Sequence, residues 1–269
     1  MAPYETLLYE ATEGVATLTF NRPERANAFN ETMQHETIDA LKQIARDNAI
    51  RAVVVTGAGK AFSSGQDVQE IGAIIAAGEQ RSIGDHLRRS YNDIVTRMRT
   101  LEKPIVGAIN GAAVGAGGSI ALACDLRVCA ASGNFVFAGF LNIGLIPDGG
   151  STFFLPRLVG MSRAFELAIL ADSHHRIDAQ QALSLGLVTK VVPDDQLTAE
   201  VGALARRLAQ MPTRAIGLTK RALNRSWANT LDESLELEAH LQSVSGASED
   251  FKEGVAAFLE KRTPTFRGV

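Results

Sequence analysis

Three short stretches hold residues whose types and spacing could do chemistry. The first is Gly115-Ala116-Gly117-Gly118-Ser119, which follows an apolar run from Ile105 to Ile109 and the turn dipeptide Asn110-Gly111. A small-residue helix is expected to begin there and end near Cys124. Glycine lowers helix propensity by roughly 1 kcal/mol relative to alanine, so propensity did not select Gly115, Gly117 and Gly118. They let another group approach the backbone, and the first turn of a helix leaves amide hydrogens unpaired. The second stretch is Ser63-Ser64-Gly65-Gln66-Asp67, a loop after another buried run. Two backbone amides from separate strand ends could converge on one carbonyl oxygen and stabilise an oxyanion. Close packing with no ligand is the other reading of the same glycines. The third is Asp148, within Ile146-Pro147-Asp148-Gly149-Gly150. It reads either as a helix N-cap or as a general base.

Other constellations fail on inspection. Gly115 to Ile120 misses the dinucleotide fingerprint because Ile120 replaces its third glycine. Gly57-Ala58-Gly59-Lys60 lacks the first glycine and the final Ser/Thr of a phosphate loop. His35-Glu36 has Asp39 where a zinc helix needs its second histidine, and His174-His175 sits in a polar turn. No serine lies in a G-x-S-x-G elbow. No metal site is expected.

The elements that must position these stretches alternate. Val15 to Phe20 predicts a strand, and Asn30 N-caps a helix with Met33, Ile38, Leu41 and Ile44 on one face. Arg51 to Thr56 has the unbroken apolar centre of a strand buried on both faces. Strand, helix, strand implies a right-handed crossover and an α/β fold. The segment from Gly72 to Gly84 is weakly patterned and reads as a lid or surface excursion. Leu87, Tyr91, Ile94, Met98 and Leu101 predict one helix. Pro104 bars a helix through it, so Ile105 to Ile109 is a strand. Further strands are expected at Leu126 to Ala130, Phe135 to Phe137 and Val188 to Val192, with a helix through Phe153 and Phe154. Asp178 and Gln181 form a capping box, with Gly186 as the stop. From Leu197 the pattern is helical, with Thr230 and Glu233 capping one helix and Ser248 starting the last. A boundary near Asp194 divides an α/β body, 1–194, from a helical part, 195–269.

Composition sets the outer limits. The 269 residues are 46% hydrophobic and 21% charged, ordinary for a globular chain. A net charge of −3, with no basic block among aromatics, argues against nucleic-acid binding. No apolar run reaches membrane-spanning length, and Met1 to Glu5 shows no secretory signal. Cys124 and Cys129 are expected to be reduced and buried, as suits a cytoplasmic enzyme.

At this point the motifs resemble the crotonase superfamily of enoyl-CoA hydratases and isomerases, nearly end to end. They include Asn21-Arg22-Pro23 with Asn27-Ala28, Phe62 through Asp67, Lys103-Pro104 through Asp125, Gly144 through Gly150, and Leu155 through Gly160. The resemblance implies a spiral of ββα turns followed by a helical C-terminal region that builds homotrimers or homohexamers. It implies a thioester oxyanion hole made by the amides of Gln66 and Ala116, with Gly115 making room for the thioester. Coenzyme A, carried in by the substrate with no separate cofactor, would lie along Arg25, Asn27 and Ala28 and the loop Ser63, Ser64, Gly65 and Asp67. Phe258 and Lys261 of a neighbouring subunit would reach the adenine end.

One departure from the family pattern matters most. Hydratases of this family use two glutamates, and the matching positions here are Ser119 and Phe140. A phenyl ring gives no acid–base help to water. The Leu-Ile-Pro-Asp stretch is similar to the 1,2-epoxyphenylacetyl-CoA isomerase and enoyl-CoA isomerase branch, where an acid at the Asp148 position is the base. Tyr91-Asn92 and Gly254 to Leu259 also resemble that branch. Asn92 stands where the dehalogenase branch has a histidine. The expectation is therefore an acyl-CoA isomerase, with Tyr91 and Phe140 shaping the acyl pocket. A hydratase with an atypical acid set and a non-catalytic acyl-CoA-binding protein are the rivals.

Overall fold

The computed structural model describes residues 4–78 and 82–268. Met1 to Pro3 of the signal reading, residues 79–81 of the Gly72–Gly84 excursion and Val269 at the end of the 195–269 region lie outside them.

Ten strands form among the described residues: β1 (Leu7–Thr12), β2 (Val15–Phe20), β3 (Ala52–Gly57), β4 (Ala61–Ser63), β5 (Ile105–Ile109), β6 (Ala112–Val114), β7 (Leu126–Ala130), β8 (Asn134–Val136), β9 (Ile177–Asp178) and β10 (Lys190–Val192). They sort into two sheets. The larger runs β1-β2-β3-β5-β7-β10 and the smaller β4-β6-β8-β9. All neighbours are parallel except β1 with β2 and β8 with β9. The chain therefore winds. In each turn a first strand joins the large sheet, a second joins the small sheet, and a helix follows. The turns are β3-β4 with helix Val68–Ala76, β5-β6 with helix Ala116–Ala123, and β7-β8 with helix Ser151–Val159. This is the expected ββα spiral of an α/β fold.

Burial follows the strand alternation. Val53 and Val55 face a core holding Phe20, Phe29, Phe62 and Tyr91. Ala52 and Val54 face the other side, where Leu197, Val201, Ala205 and Ala209 of helix Leu197–Ala209 cover the large sheet. The 195–269 region thus begins with a helix laid on the sheet. Farther along, Lys220 ties helix Thr213–Ser226 to the body by an ion pair with Asp125 at 2.7 Å. Cys124 and Cys129 are free and buried. Among the described residues no helix is long and apolar enough to cross a membrane.

Several expectations need correction. The single helix read from Leu87 to Leu101 is two, Ile83–Arg89 and Tyr91–Thr100, broken at Ser90 with ψ of −96°. The Ser90 hydroxyl donates to the His86 carbonyl at 2.7 Å, a local side-chain bond that competes with helix continuation. The Gly72–Gly84 excursion is partly regular, because Gly72 to Ala76 complete the helix that Asp67 N-caps. The strand expected from Phe135 starts one residue earlier, at Asn134, and the one expected from Val188 starts at Lys190.

Candidate active site

The strands β4, β6 and β8 are parallel neighbours; β4 and β6 each end in a loop singled out above, and the chain after β8 runs through the short turn Leu141–Ile143 to Asp148. Adjacent strands lie about 4.8 Å apart, so loops leaving neighbouring ends must stack. The glycines record how closely. Gly65 has φ +88°, and a Cβ there would stand 2.7 Å from the Val114 carbonyl oxygen and 3.2 Å from the Ala116 nitrogen. A Cβ at Gly117 would lie 2.5 Å from the Ser63 carbonyl oxygen. Close packing therefore brings the loop that carries Gln66 against the start of the helix that carries Ala116.

Each amide is left available by its local structure. A bridge joins Phe29 to Gln66, but its bonds run from the Phe29 amide to the Gly65 carbonyl at 2.7 Å and from the Asp67 amide to the Phe29 carbonyl at 2.9 Å. The bridge passes over the Gln66 amide. Ala116 is the first residue of its helix, so its amide has no acceptor within that helix. Gln66 is held by its side chain, whose Oε1 accepts from Tyr91 Oη at 2.7 Å and from Gln34 Nε2 at 3.0 Å. Tyr91 is buried, and burial drives its phenol pKa upward, with Asp148, Glu70 and Asp67 adding to the shift. Sequence reasoning missed Gln34. Its signal was a polar residue beside Met33, Thr37, Ile38 and Leu41 on a buried helix face.

Asp148 does not cap a helix. The N-cap position of helix Ser151–Val159 is Gly150, with no side-chain cap bond. Asp148 contributes its carbonyl instead, which accepts from the Ser151 amide at 3.0 Å and from Ser119 Oγ at 2.8 Å. Its carboxylate oxygen Oδ1 is buried with no hydrogen-bond partner among the described residues. Burial raises the carboxyl pKa from 3.8 to about 6. Phe140, itself buried, lies 3.7 Å from where a Gly115 Cβ would be, and Phe137 packs against Gly118. Glu70 is also pushed upward by burial, but its carboxyl accepts a bond from the Glu31 backbone.

The remaining candidate residues divide into three groups. The segment 25–28 lies along the loop 63–67: the Ser64 amide donates to the Ala26 carbonyl at 2.9 Å, and Ser63 Oγ to the Asn27 carbonyl at 2.8 Å. Arg25 is exposed beside this seam and donates to Gln69, while Ser64 is half-buried and Ala28 is buried. Asn27, Ser63, Asp67 and Ser119 are buried with their side chains committed inside the protein. Asn27 Nδ2 bonds the Ala58 and Ala61 carbonyls, both at 2.8 Å, and Asp67 pairs with Arg22 at 3.0 Å. Phe258 and Lys261 stand exposed at the end of the helix Glu249–Glu260. No described bond joins them to these loops within one chain. A groove of about 820 Å³ elsewhere, lined by Thr17, Thr56, Arg176 and Arg206 among others, shares none of the candidate residues.

Amides on two adjacent loops and a carboxyl whose pKa is raised to about 6, with its Oδ1 lacking a partner among the described residues, are groups that can polarise a carbonyl and remove a proton from the adjacent carbon. Comparison with known proteins gives the family of the chain. The enoyl-CoA hydratase/isomerase family model matches residues 10–269. The chain is 44% identical to 1,2-epoxyphenylacetyl-CoA isomerase of Escherichia coli (strain K12), over 98% of this chain and 99% of that one. It is 43% identical to a probable enoyl-CoA hydratase of Rhodobacter capsulatus, over 98% and 99%. The solved enoyl-CoA hydratase from Polaromonas sp. JS666 superposes with a TM-score of 0.88 at 32% identity, covering 97% of this chain and 99% of that one. With the wound ββα body, the paired amide loops and matches that run almost from end to end, the chain belongs to the enoyl-CoA hydratase/isomerase family.

Proposed function

We propose that the protein is an acyl-CoA isomerase that works through a thioester enolate with Asp148 as its one base. The thioester carbonyl oxygen accepts from the Gln66 and Ala116 amides. Asp148 takes a proton from C2, breaking the C2–H bond as the electrons move onto the carbonyl oxygen. The enolate then collapses, the double bond shifts from the β,γ to the α,β position, and the same carboxyl returns its proton to C4. Each oxyanion donor is typically worth about 3 to 4 kcal/mol in such a step. The observation that carries this reading is the half-buried Asp148 carboxylate, whose Oδ1 has no partner among the described residues. Ser119 and Phe140 stand where a hydratase would need its acids, and neither can activate water.

Coenzyme A lies along Arg25, Ala28 and Ser64. Asn27, Ser63 and Asp67 shape that seam from inside, and Gly65 and Gly115 admit the thioester. Tyr91 and Phe140 line the acyl end. The adenine end meets Phe258 and Lys261 of a second copy in a homotrimer or a pair of trimers. Exposed apolar side chains such as Met161, Phe165, Leu231, Leu235 and Phe258 suit such association. Opening of a ring epoxide through the same enolate chemistry is favoured by the similarity to the Escherichia coli isomerase.

The test is a pair of assays. With a 3-enoyl-CoA, conjugated absorbance should rise; with crotonyl-CoA, it should not fall. Loss of crotonyl-CoA absorbance without isomerisation would identify a hydratase instead. Because the base must be ionised, kcat/KM should rise with pH through about 6 and level off above it. A limb at the ordinary carboxylate value near 4 would contradict a buried base.

A further inference from the structure

Ser119 is wholly buried and joins the two halves of the site. Its hydroxyl oxygen stands 2.8 Å from the Asp148 carbonyl oxygen, 2.7 Å from Ser151 Oγ and 3.2 Å from the Gly115 carbonyl oxygen. A serine has one proton to donate. Two of its three neighbours are carbonyls, which only accept, and the third is a hydroxyl that can donate or accept. Of the two carbonyls the shorter contact is Asp148. With the Ser119 proton on that carbonyl, the contact to Ser151 is made by the Ser151 hydroxyl donating to Ser119, and the two hydroxyls form a relay that ends on the backbone of the base. Ser151 is also buried, and its own amide donates to the same carbonyl at 3.0 Å.

The far end of Ser119 is equally fixed. It lies on the helix Ala116–Ala123, three residues after Ala116. The turn that follows Asp148 presses against it: Gly149 has φ +56°, and a Cβ there would stand 2.9 Å from Ser119 Cβ. One short side chain thus spans the helix that offers an oxyanion amide and the loop that offers the base. By contrast, the Asp148 carboxyl itself has a buried oxygen with no partner to hold it.

Resting on the isomerase reading, we infer that Ser119 is a positioning residue: its bond to the Asp148 carbonyl sets the reach of the carboxylate from the Ala116 amide. Misplacement of a reacting group by about 1 Å can cost on the order of 100-fold in rate. The hydroxyl should therefore act on the chemical step and not on coenzyme A affinity.

The test uses full-length Ser119→Ala and Ser119→Cys with a 3-enoyl-CoA. Loss of the hydroxyl should lower kcat by roughly 10- to 100-fold while KM stays within about threefold. The thiol, a weak donor of similar size, should fall between alanine and serine. The acid limb of the pH profile should move down toward the ordinary carboxylate value, because a loosened loop admits water to Asp148. A role confined to folding would not move that limb. Wild-type kcat in Ser119→Ala, or a loss of rate with the limb unmoved, overturns the inference. If the alanine variant does not fold, the cysteine variant decides by the same limb and rate. Failure of the isomerase reading is distinguishable: the wild type would then show no isomerisation, or Asp148→Asn would keep its rate. Either result removes this inference too, whereas an unaffected Ser119→Ala beside an active wild type removes this inference alone.

Discussion

Asp148→Asn is expected to lose about 100- to 10,000-fold in isomerase kcat, the usual range for a general base, while still binding the acyl-CoA. The amide is nearly isosteric and keeps the backbone bonds to Ser119 and Ser151. It cannot take a proton from C2. The same change should make the protein more stable, and the sign can be worked out from the pKa. In the folded chain the carboxyl has a pKa raised from 3.8 to about 6, so between those values the folded state holds a proton that the unfolded state has lost. Stability therefore falls as pH rises through that window, and the loss persists above it. The difference corresponds to roughly 3 kcal/mol. Asparagine carries no charge to desolvate, so the variant should gain up to about this much at pH 8 and little at pH 4. Urea titrations at the two pH values would show it. A variant destabilised equally at both would mean that the carboxylate is not confined as described. Gain of stability with loss of activity is what a site that stores an unfavourable charge should give.

Gly65→Ala is the second large effect. Its φ of +88° is one that L-residues rarely adopt, and the new methyl would sit 2.7 Å from the Val114 carbonyl oxygen. Both objections are to backbone, so no side chain can swing aside. The loop 63–67 must therefore move away from β6, which carries the Gln66 amide away from that of Ala116. Removing one oxyanion donor typically costs about 100- to 1,000-fold in kcat, and the variant should approach the lower end of that range. Stability should also fall, by an order of about 1 to 3 kcal/mol for the strained backbone. Kinetics and a thermal melt on the same sample check both parts. Near-normal kcat in a folded variant would show that the two loops are not the oxyanion pair.

The legible part of the sequence was local. The Asn30, Asp178, Thr230 and Ser248 caps all form as their side-chain chemistry requires. The buried strands at Ala52 and Ile105 follow from unbroken apolar runs. The spiral itself was not visible from pattern, because its second strands, Ala61–Ser63 and Ala112–Val114, have three residues each. So short a segment has no period to read. Resemblance supplied the spiral where periodicity could not.

At the site, the glycines announced close approach but not which segment approached. From its residues alone Asp148 read as cap or base, the resemblance favoured the base, and in the structure its carbonyl, not its carboxylate, takes the helix bond. Ser119 read first as a missing glutamate. Its hydroxyl contacts give it a place of its own. The internal commitments of Asn27, Ser63 and Asp67 depend on partners 31 to 45 residues away, which no local pattern reveals.

The central claim is that one carboxylate, Asp148, removes the C2 proton. The most direct measurement follows a 3-enoyl-CoA in deuterium oxide by proton NMR, with wild type and Asp148→Asn side by side. The account predicts that wild type yields the conjugated product with part of the original C2 proton recovered at C4. The variant should neither isomerise the substrate nor exchange its C2 protons. Exchange at C2 by Asp148→Asn at the wild-type rate would contradict it.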